Sequence, residues 1–192
     1  LEGIKTGTKV TKLKRGSVDV TVPAIVYTKT HVRDRYNAMT LTFKGFNLEV
    51  RAYEEGVAYR FVPTVKGAFK VAGEKVLFNF PEDATAWIPY VDPQYKDHFQ
   101  SSCESLYTVS PLSGWDGDHL SLLPLLVQSG GEKLLFTESG LTNYPGMYFK
   151  GRGMGLEGVF APYPAKTEHG GHNMLQQVVT ARENYIARFD KA

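Results

Sequence analysis

The sequence predicts an all-β protein, an antiparallel β-sandwich, and three observations lead to this prediction. Apolar and polar residues alternate with period two through much of the first half, as they do in half-buried strands. About a dozen short apolar runs are separated by clusters of Gly, Pro, Ser and Asp, at the spacing typical of packed antiparallel sheets. No segment keeps the 3.6-residue period of an amphipathic helix.

The clearest strands lie in the first third of the chain. Residues 39–43, 48–52 and 57–61 each place apolar side chains at alternate positions, which predicts three strands that bury one face. The last two are joined by Glu54-Glu55-Gly56. A glycine at this position can adopt the positive φ angle that closes a tight hairpin, so we expect one here.

Two further strands are predicted upstream of these. Residues 18–22 and 24–32 are rich in β-branched side chains, which favour extended backbone. Pro23 separates them, and because proline has no N–H group to donate, it fits an edge or a bulge. Shorter strand signals follow beyond Pro63, at residues 75–80, 86–88, 105–109, 120–127, 133–137, 147–150, 158–161 and 178–188.

Composition restricts the class of protein. The 192 residues are 42% hydrophobic and 22% charged, which is ordinary for a globular protein that buries its own core. Lys and Arg number 22 against 20 Asp and Glu, and the two signs are interspersed, so nothing indicates a nucleic-acid partner. No apolar run is long enough for a membrane span. With no linker or repeat, residues 1–192 are predicted to form a single domain.

Four motifs invite a chemical interpretation, and each has a simpler one. The glycines of residues 153–158 match the spacing of a dinucleotide fingerprint, but the Pro-rich segment behind them cannot open a helix, so a hairpin loop is expected. Residues 169–172 (His-Gly-Gly-His) are interpreted as a loop. Asp116-Gly117-Asp118 lacks the remaining positions of a calcium loop and is interpreted as a solvated turn. Cys103 is alone and receives no role.

Glu138 is the carboxylate of greatest interest. It follows the apolar run Leu134-Leu135-Phe136 and precedes a turn-forming segment, so a strand end would place it at the rim of a cleft. Glutamate is seldom fully buried without a partner, so we expect this one to face water, a cation or another chain. Loop aromatics such as Trp87 and Trp115 could stack on sugar rings, although a β core needs aromatic residues too.

Several blocks of the sequence resemble the N-terminal domain of glycoside hydrolase family 97. The hairpin Arg51-Ala52-Tyr53-Glu54-Glu55-Gly56-Val57-Ala58-Tyr59-Arg60-Phe61 is similar to a hairpin of that domain. Further blocks follow in the same order, at residues 104–108, 122–127, 136–138, 144–148 and 158–164. Together they extend the resemblance from about Val18 to Arg188.

The resemblance implies a β-supersandwich, here without its first strands, that packs on a following (β/α)8 barrel. Enzymes of this family act on α-glucosides or α-galactosides and hold a calcium ion in the active site. The barrel carries the catalytic residues, so none is assigned in this chain, and its substrate-binding residues stay unknown. By the resemblance, Glu138 is the ligand that the N-terminal domain lends to calcium.

Two hypotheses therefore stay open. In the first, the chain is a non-catalytic fragment of a calcium-dependent α-glycosidase, inactive by itself and unable to retain calcium without the barrel. In the second, it is a stand-alone carbohydrate-binding module that binds α-linked oligosaccharide through loop aromatics. The resemblance also implies export to the periplasm or secretion, and missing strands would leave edges that favour self-association.

Overall fold

The computed structural model describes residues 8–24, 28–64, 68–70, 75–93, 99, 104–139, 146–160 and 178–180. The chain divides into two compact units, one formed by Leu1–Phe69 with Val179–Ala192 and the other by Lys70–Val178. The strands pair antiparallel in every ladder of the three larger sheets, which confirms the predicted all-β antiparallel class. That residues 1–192 act as a single domain stays a prediction.

The described residues contain thirteen strands and, between two of them, a short 3-10 turn at Leu112–Gly114. The strands are β1 (Lys12–Pro23), β2 (His31–Phe43), β3 (Phe46–Ala52), β4 (Val57–Pro63), β5 (Ala68–Lys70), β6 (Val76–Asn79), β7 (Thr85–Ile88), β8 (Thr108–Pro111), β9 (Leu125–Ser129), β10 (Glu132–Phe136), β11 (Met147–Arg152), β12 (Gly155–Phe160) and β13 (Val178–Thr180). Among these residues, no helix is long and apolar enough to cross a membrane.

The first unit holds a four-stranded meander in the order β1-β2-β3-β4. Its first hairpin corrects one sequence prediction. The ladder ends where Pro23 pairs with His31, and the Ala24 N–H donates to the Thr30 carbonyl at 2.9 Å. Residues 28–30 therefore bend, and the strand predicted at 24–32 begins only at His31. Because the two long strands must reverse direction somewhere, the connection overrides the extended preference of β-branched residues.

The predicted hairpin at Glu54–Gly56 is confirmed, but its geometry differs from the expectation. Ala52 pairs with Val57, and the Tyr53 N–H donates to the Gly56 carbonyl at 2.8 Å. Gly56 does not adopt a positive φ angle. The turn is therefore closed without the conformation that only glycine adopts readily.

The second unit contains two sheets, β10-β9-β7-β8 and β11-β12-β6. Side chains from both sheets meet in one apolar core, as in a sandwich. Phe149 of β11 is fully buried and its ring lies 5.7 Å from that of Phe136 in β10 and 5.9 Å from that of Phe78 in β6. The other buried members of this core are Ala84, Ala86, Ile88, Leu112, Trp115, Leu125, Val127 and Leu156.

Two loops in this unit test further predictions made from the sequence. The glycines of residues 153–158 form a hairpin, since Arg152 pairs with Gly155 and Gly153 has a φ of +59°. Residues Gly155–Phe160 form strand β12 where a helix would have to begin, so the dinucleotide interpretation fails as expected. The strand predicted at residues 120–127 begins later, at Leu125, and Ser121 instead bridges Tyr90 and Phe149.

Strands β5 and β13 pair with each other in a small separate sheet. Of the strand predicted at residues 178–188, only Val178–Thr180 belongs to the described residues. Cys103 and residues 169–172 lie outside the described residues, so those interpretations stay predictions.

Candidate functional site

Glu138 lies two residues beyond the end of β10, and the core fixes that end. The Phe136 ring packs against Phe78 at 4.8 Å between centroids, so the strand cannot shift without disturbing the core. The half-buried Glu138 carboxylate then accepts a hydrogen bond, at 2.8 Å, from the N–H of Met147, the first residue of β11. The side chain is thus held between two strands rather than left free in solvent.

A cleft of about 250 Å³ opens beside this carboxylate. The ring of Tyr148 lines it and is fixed by Phe99, because the two rings meet edge to face at 5.1 Å and the Tyr148 hydroxyl donates to the Phe99 carbonyl at 3.0 Å. The remaining lining is mostly apolar, and the full set is Leu122, Leu123, Thr137, Glu138, Gly146, Met147 and Tyr148.

The size and composition of the cleft limit what it can do. It lies below the range of about 300–1,000 Å³ that small-molecule sites usually occupy. Glu138 is its one ionisable carboxylate, whereas glycosidic hydrolysis uses two carboxyl groups about 5–10 Å apart. The cleft therefore suits a contribution to a larger site better than a complete active site.

Calcium is the metal that the sequence resemblance implies, and Glu138 fits it as a single ligand. Ca²⁺ takes six to eight oxygen atoms, mainly from carboxylates, carbonyls and water. Within the described part of the chain, no group of three or more His, Cys, Asp or Glu residues is arranged to hold a metal ion. A calcium site at Glu138 would therefore need most of its ligands from another part of the protein.

The acidic pair Asp116 and Asp118 is a solvated turn, as predicted. Their side chains are 80% and 98% exposed, and Gly117 between them has a φ of +51°. The Asp116 N–H donates to the Tyr90 hydroxyl at 3.1 Å, and a carboxylate oxygen of Asp116 lies 3.3 Å from Nδ1 of His119. These contacts stabilise a turn, and they do not gather oxygen atoms around a common point.

The structure argues against Trp115 as a sugar-stacking residue. Its side chain is 9% exposed, its Nε1–H donates to the His119 carbonyl at 2.8 Å, and its ring packs edge to face on Tyr90. Trp115 is a core residue. Trp87 is half-buried in β7.

Sequence reasoning placed Glu138 at a strand end but did not find its neighbours. Leu122 and Leu123 line the cleft from a turn before β9, and Met147 supplies a backbone N–H that no side-chain pattern encodes. The one available signal was the sequence Tyr144-Pro145-Gly146, whose composition predicts a turn shortly after Glu138.

Fold and site together define an antiparallel β domain that carries a single carboxylate at a strand-end cleft. The chain belongs to the glycosyl-hydrolase 97 N-terminal family, whose pattern matches residues 2–181. This confirms the family resemblance that the sequence blocks suggested.

Two relatives described as glycosidases agree with this assignment. The chain is 43% identical over 191 residues to a retaining alpha-galactosidase of Bacteroides thetaiotaomicron, in an alignment that covers 95% of this chain and 29% of that protein. A probable retaining alpha-galactosidase of Streptomyces bingchenggensis is 51% identical over 43 residues, or 22% of this chain and 7% of that protein. The chain thus spans less than a third of the length of these relatives.

Solved structures show the same fold. A glycoside hydrolase family 97 enzyme from Pseudoalteromonas sp., in complex with acarbose, matches with a TM-score of 0.65 and 20% identity over 81% of this chain and 24% of that one. A beta-arabinopyranosidase matches with a TM-score of 0.70 and 22% identity over 80% of this chain and 27% of that one. At these identities, the likeness establishes the architecture alone.

Proposed function

We propose that this chain is the non-catalytic N-terminal domain of a calcium-dependent α-glycosidase, and that it lends Glu138 to a calcium ion shared with a following (β/α)8 barrel. In this role the domain shapes the mouth of the active site, and the substrate is an α-linked galactoside or glucoside. The family assignment supports the domain, and the retaining alpha-galactosidase relative supports the substrate class.

The position of Glu138 is the observation that carries the proposal. A carboxylate fixed by a backbone N–H beside a small cleft keeps its orientation, which a metal ligand requires. Within the described residues Glu138 is not part of a group of three or more acidic, His or Cys side chains, so a calcium ion there would need further ligands, which a second domain can supply. When bound, the ion would stabilise negative charge that develops during hydrolysis.

The decisive experiment compares Glu138→Gln with Glu132→Gln in the parent enzyme. Glu132 is exposed at the opposite end of β10, so its substitution removes a carboxylate from the same strand without touching the cleft. We expect Glu138→Gln to weaken calcium binding by about tenfold or more, with a parallel loss of kcat/KM, because metal affinity falls steeply when a ligand is lost. Calorimetric titration of the calcium-free enzyme provides a measurement independent of activity.

Unchanged calcium affinity in Glu138→Gln would contradict the proposal. The same titration on the 192-residue chain should show weak binding or none, and that chain should not hydrolyse aryl α-galactosides or α-glucosides. The rival function, a stand-alone carbohydrate-binding module, predicts that the chain binds malto-oligosaccharide or galactoside in calorimetry. The burial of Trp115 removes one of the aromatic residues named for that function. Export to the periplasm or the medium belongs to the same proposal.

A further inference from the structure

A row of apolar side chains crosses the outer face of the second unit's four-stranded sheet. Leu135 of β10 pairs with Leu126 of β9, Leu126 pairs with Trp87 of β7, and Trp87 pairs with Val109 of β8. Paired residues in an antiparallel ladder point to the same face. We call these four residues the apolar stripe.

The stripe faces away from the core. Ala86 and Ile88, on either side of Trp87 in β7, are fully buried, and successive residues in a strand point to opposite faces. Leu125 and Val127 flank Leu126 in the same way. The stripe is therefore a continuous apolar row on the face that the sandwich does not use.

Two of its members are strongly exposed. Leu135 has 62% and Val109 58% of its surface accessible, while Leu126 and Trp87 are half-buried. The register places polar residues beside it on the same face, where Thr85 pairs with Gln128 and Gln128 with Lys133. Apolar residues bordered by polar ones on this side are a feature of protein–protein interfaces.

We propose that the apolar stripe is the surface on which the catalytic barrel of the parent enzyme packs, an inference that rests on the proposed function. Glu138 lies three positions after Leu135, so their α-carbons lie no more than about 11 Å apart. A barrel that shares calcium with Glu138 must therefore come close to the Leu135 end of the stripe. The retaining alpha-galactosidase relative is more than three times as long as the aligned segment, which leaves ample polypeptide to form this partner.

A carbohydrate fits the stripe less well than a protein does. Sugar recognition needs polar groups placed among exposed aromatic rings, because sugars present hydroxyls as well as flat faces. Three of the four stripe residues are aliphatic, and the single aromatic, Trp87, is half-buried. Packing against another protein surface requires no more than a complementary apolar shape.

Carbene footprinting of the parent enzyme and of the 192-residue chain tests the proposal. We expect Leu135 and Val109 to be labelled about fivefold less in the parent, because the centre of an interface packs like a protein interior. Met154, which is 49% exposed near the β11–β12 turn, serves as the reference and should be labelled equally in both. Leu135→Lys in the parent should weaken calcium binding about tenfold by loosening the docking, whereas Met154→Lys should not.

Each alternative gives a different result. Equal labelling of the stripe in parent and chain would overturn the proposal, even if Glu138→Gln behaves as expected. Protection in the free chain that increases with concentration would identify a second copy as the occupant, and protection that requires added malto-oligosaccharide or galactoside would identify a sugar. Both outcomes overturn it. A protected stripe together with a neutral Glu138→Gln would retain the docking surface and refute only the calcium role.

Discussion

The meander of the first unit and the sandwich of the second differ in the interactions that stabilise them. Strands β1 and β2 run for 12 and 13 residues in a continuous ladder, yet among the described residues of this sheet few side chains are fully buried. The strands of the sandwich are four to six residues long, but they surround a core of fully buried side chains. Long backbone pairing and a dense core are thus separate sources of stability.

The candidate site lies in the unit that has the dense core. Glu138 follows a strand that Phe136 ties to Phe78 and Phe149, so the carboxylate is presented from a rigid support. A metal ligand must be held within a fraction of an ångström, which a well-packed support achieves better than an open sheet. The comparison therefore predicts that substitutions in the sandwich cost more than matched ones in the meander.

Phe149→Ala should produce the largest effect. The ring is fully buried between aromatic residues of both sheets, and its removal leaves a cavity, so we expect a loss of about 3–5 kcal/mol in the free energy of unfolding. Leu13→Ala, at a position 47% exposed in the meander, should cost less than about 1 kcal/mol. Urea denaturation of the chain measures both. Equal losses would show that the core does not distinguish the two regions.

Gly151→Ala should come next, at about 1–3 kcal/mol. A Cβ atom at Gly151 would lie 2.3 Å from Cβ and Cγ of Trp115, which is itself packed in the core. The matched change is Gly16→Ala in β1, where a Cβ would meet nothing within 4 Å. That substitution should be neutral or stabilise by up to about 1 kcal/mol, because alanine loses less backbone entropy than glycine in a strand. Opposite signs in thermal melts would support the comparison, and two neutral results would refute it.

Arg60→Met tests the one charged side chain buried in the meander. Arg60 is 8% exposed and its guanidinium contacts Glu49 at 2.7 and 2.8 Å. The Glu49 side chain is still 32% exposed, so it is not left as a fully buried charge when Arg60 is removed. We therefore expect Arg60→Met to lower the free energy of unfolding by about 1–2 kcal/mol rather than by the full penalty of a buried charge. Arg33→Met breaks an exposed pair with Asp19, and we expect no measurable change at physiological salt. A larger loss in Arg33→Met than in Arg60→Met would contradict this ranking.

The local alternation of apolar and polar residues predicted most of the strands. It failed where contacts between residues distant in sequence determine which side chains are buried. The alternation at residues 39–43 and 48–52 was sufficient, because these strands pair with their neighbours in sequence. Trp115 looked like a loop aromatic, and its burial depends on contacts with Tyr90 and with the glycine at position 151. The burial of Arg60 could not be predicted, because this residue occupies a polar position of the alternating pattern, where an exposed side chain is expected. The Glu138 cleft likewise combines segments separated by turns, so its lining emerges only in the folded chain.

Asp83→Asn should give the smallest effect, and its pH dependence is specific. The Ser113 hydroxyl donates to one Asp83 carboxylate oxygen at 2.5 Å and the Ser113 N–H to the other at 2.9 Å, and these bonds lower the pKa of Asp83. A carboxyl whose pKa is lower in the folded state stabilises the protein above its unfolded pKa of about 3.9, and this contribution is lost as pH falls through the folded value. The variant should therefore melt below the wild type near pH 7, with the difference disappearing in strong acid.

Thermal melts from about pH 7 down to about pH 2 measure this difference, with Asp118→Asn as the control. The Asp118 side chain is 98% exposed and its nearest described cation, Lys150, is 3.8 Å away, so its removal should leave the melting curve unchanged across the range. A difference for Asp83→Asn that persists in strong acid would mean that the ionised carboxylate is not its source. In that case the contact would stabilise the short turn at Leu112–Gly114 by packing and not by the charge of the carboxylate. Packing would then account for the order of this loop, as it does for the core of the sandwich.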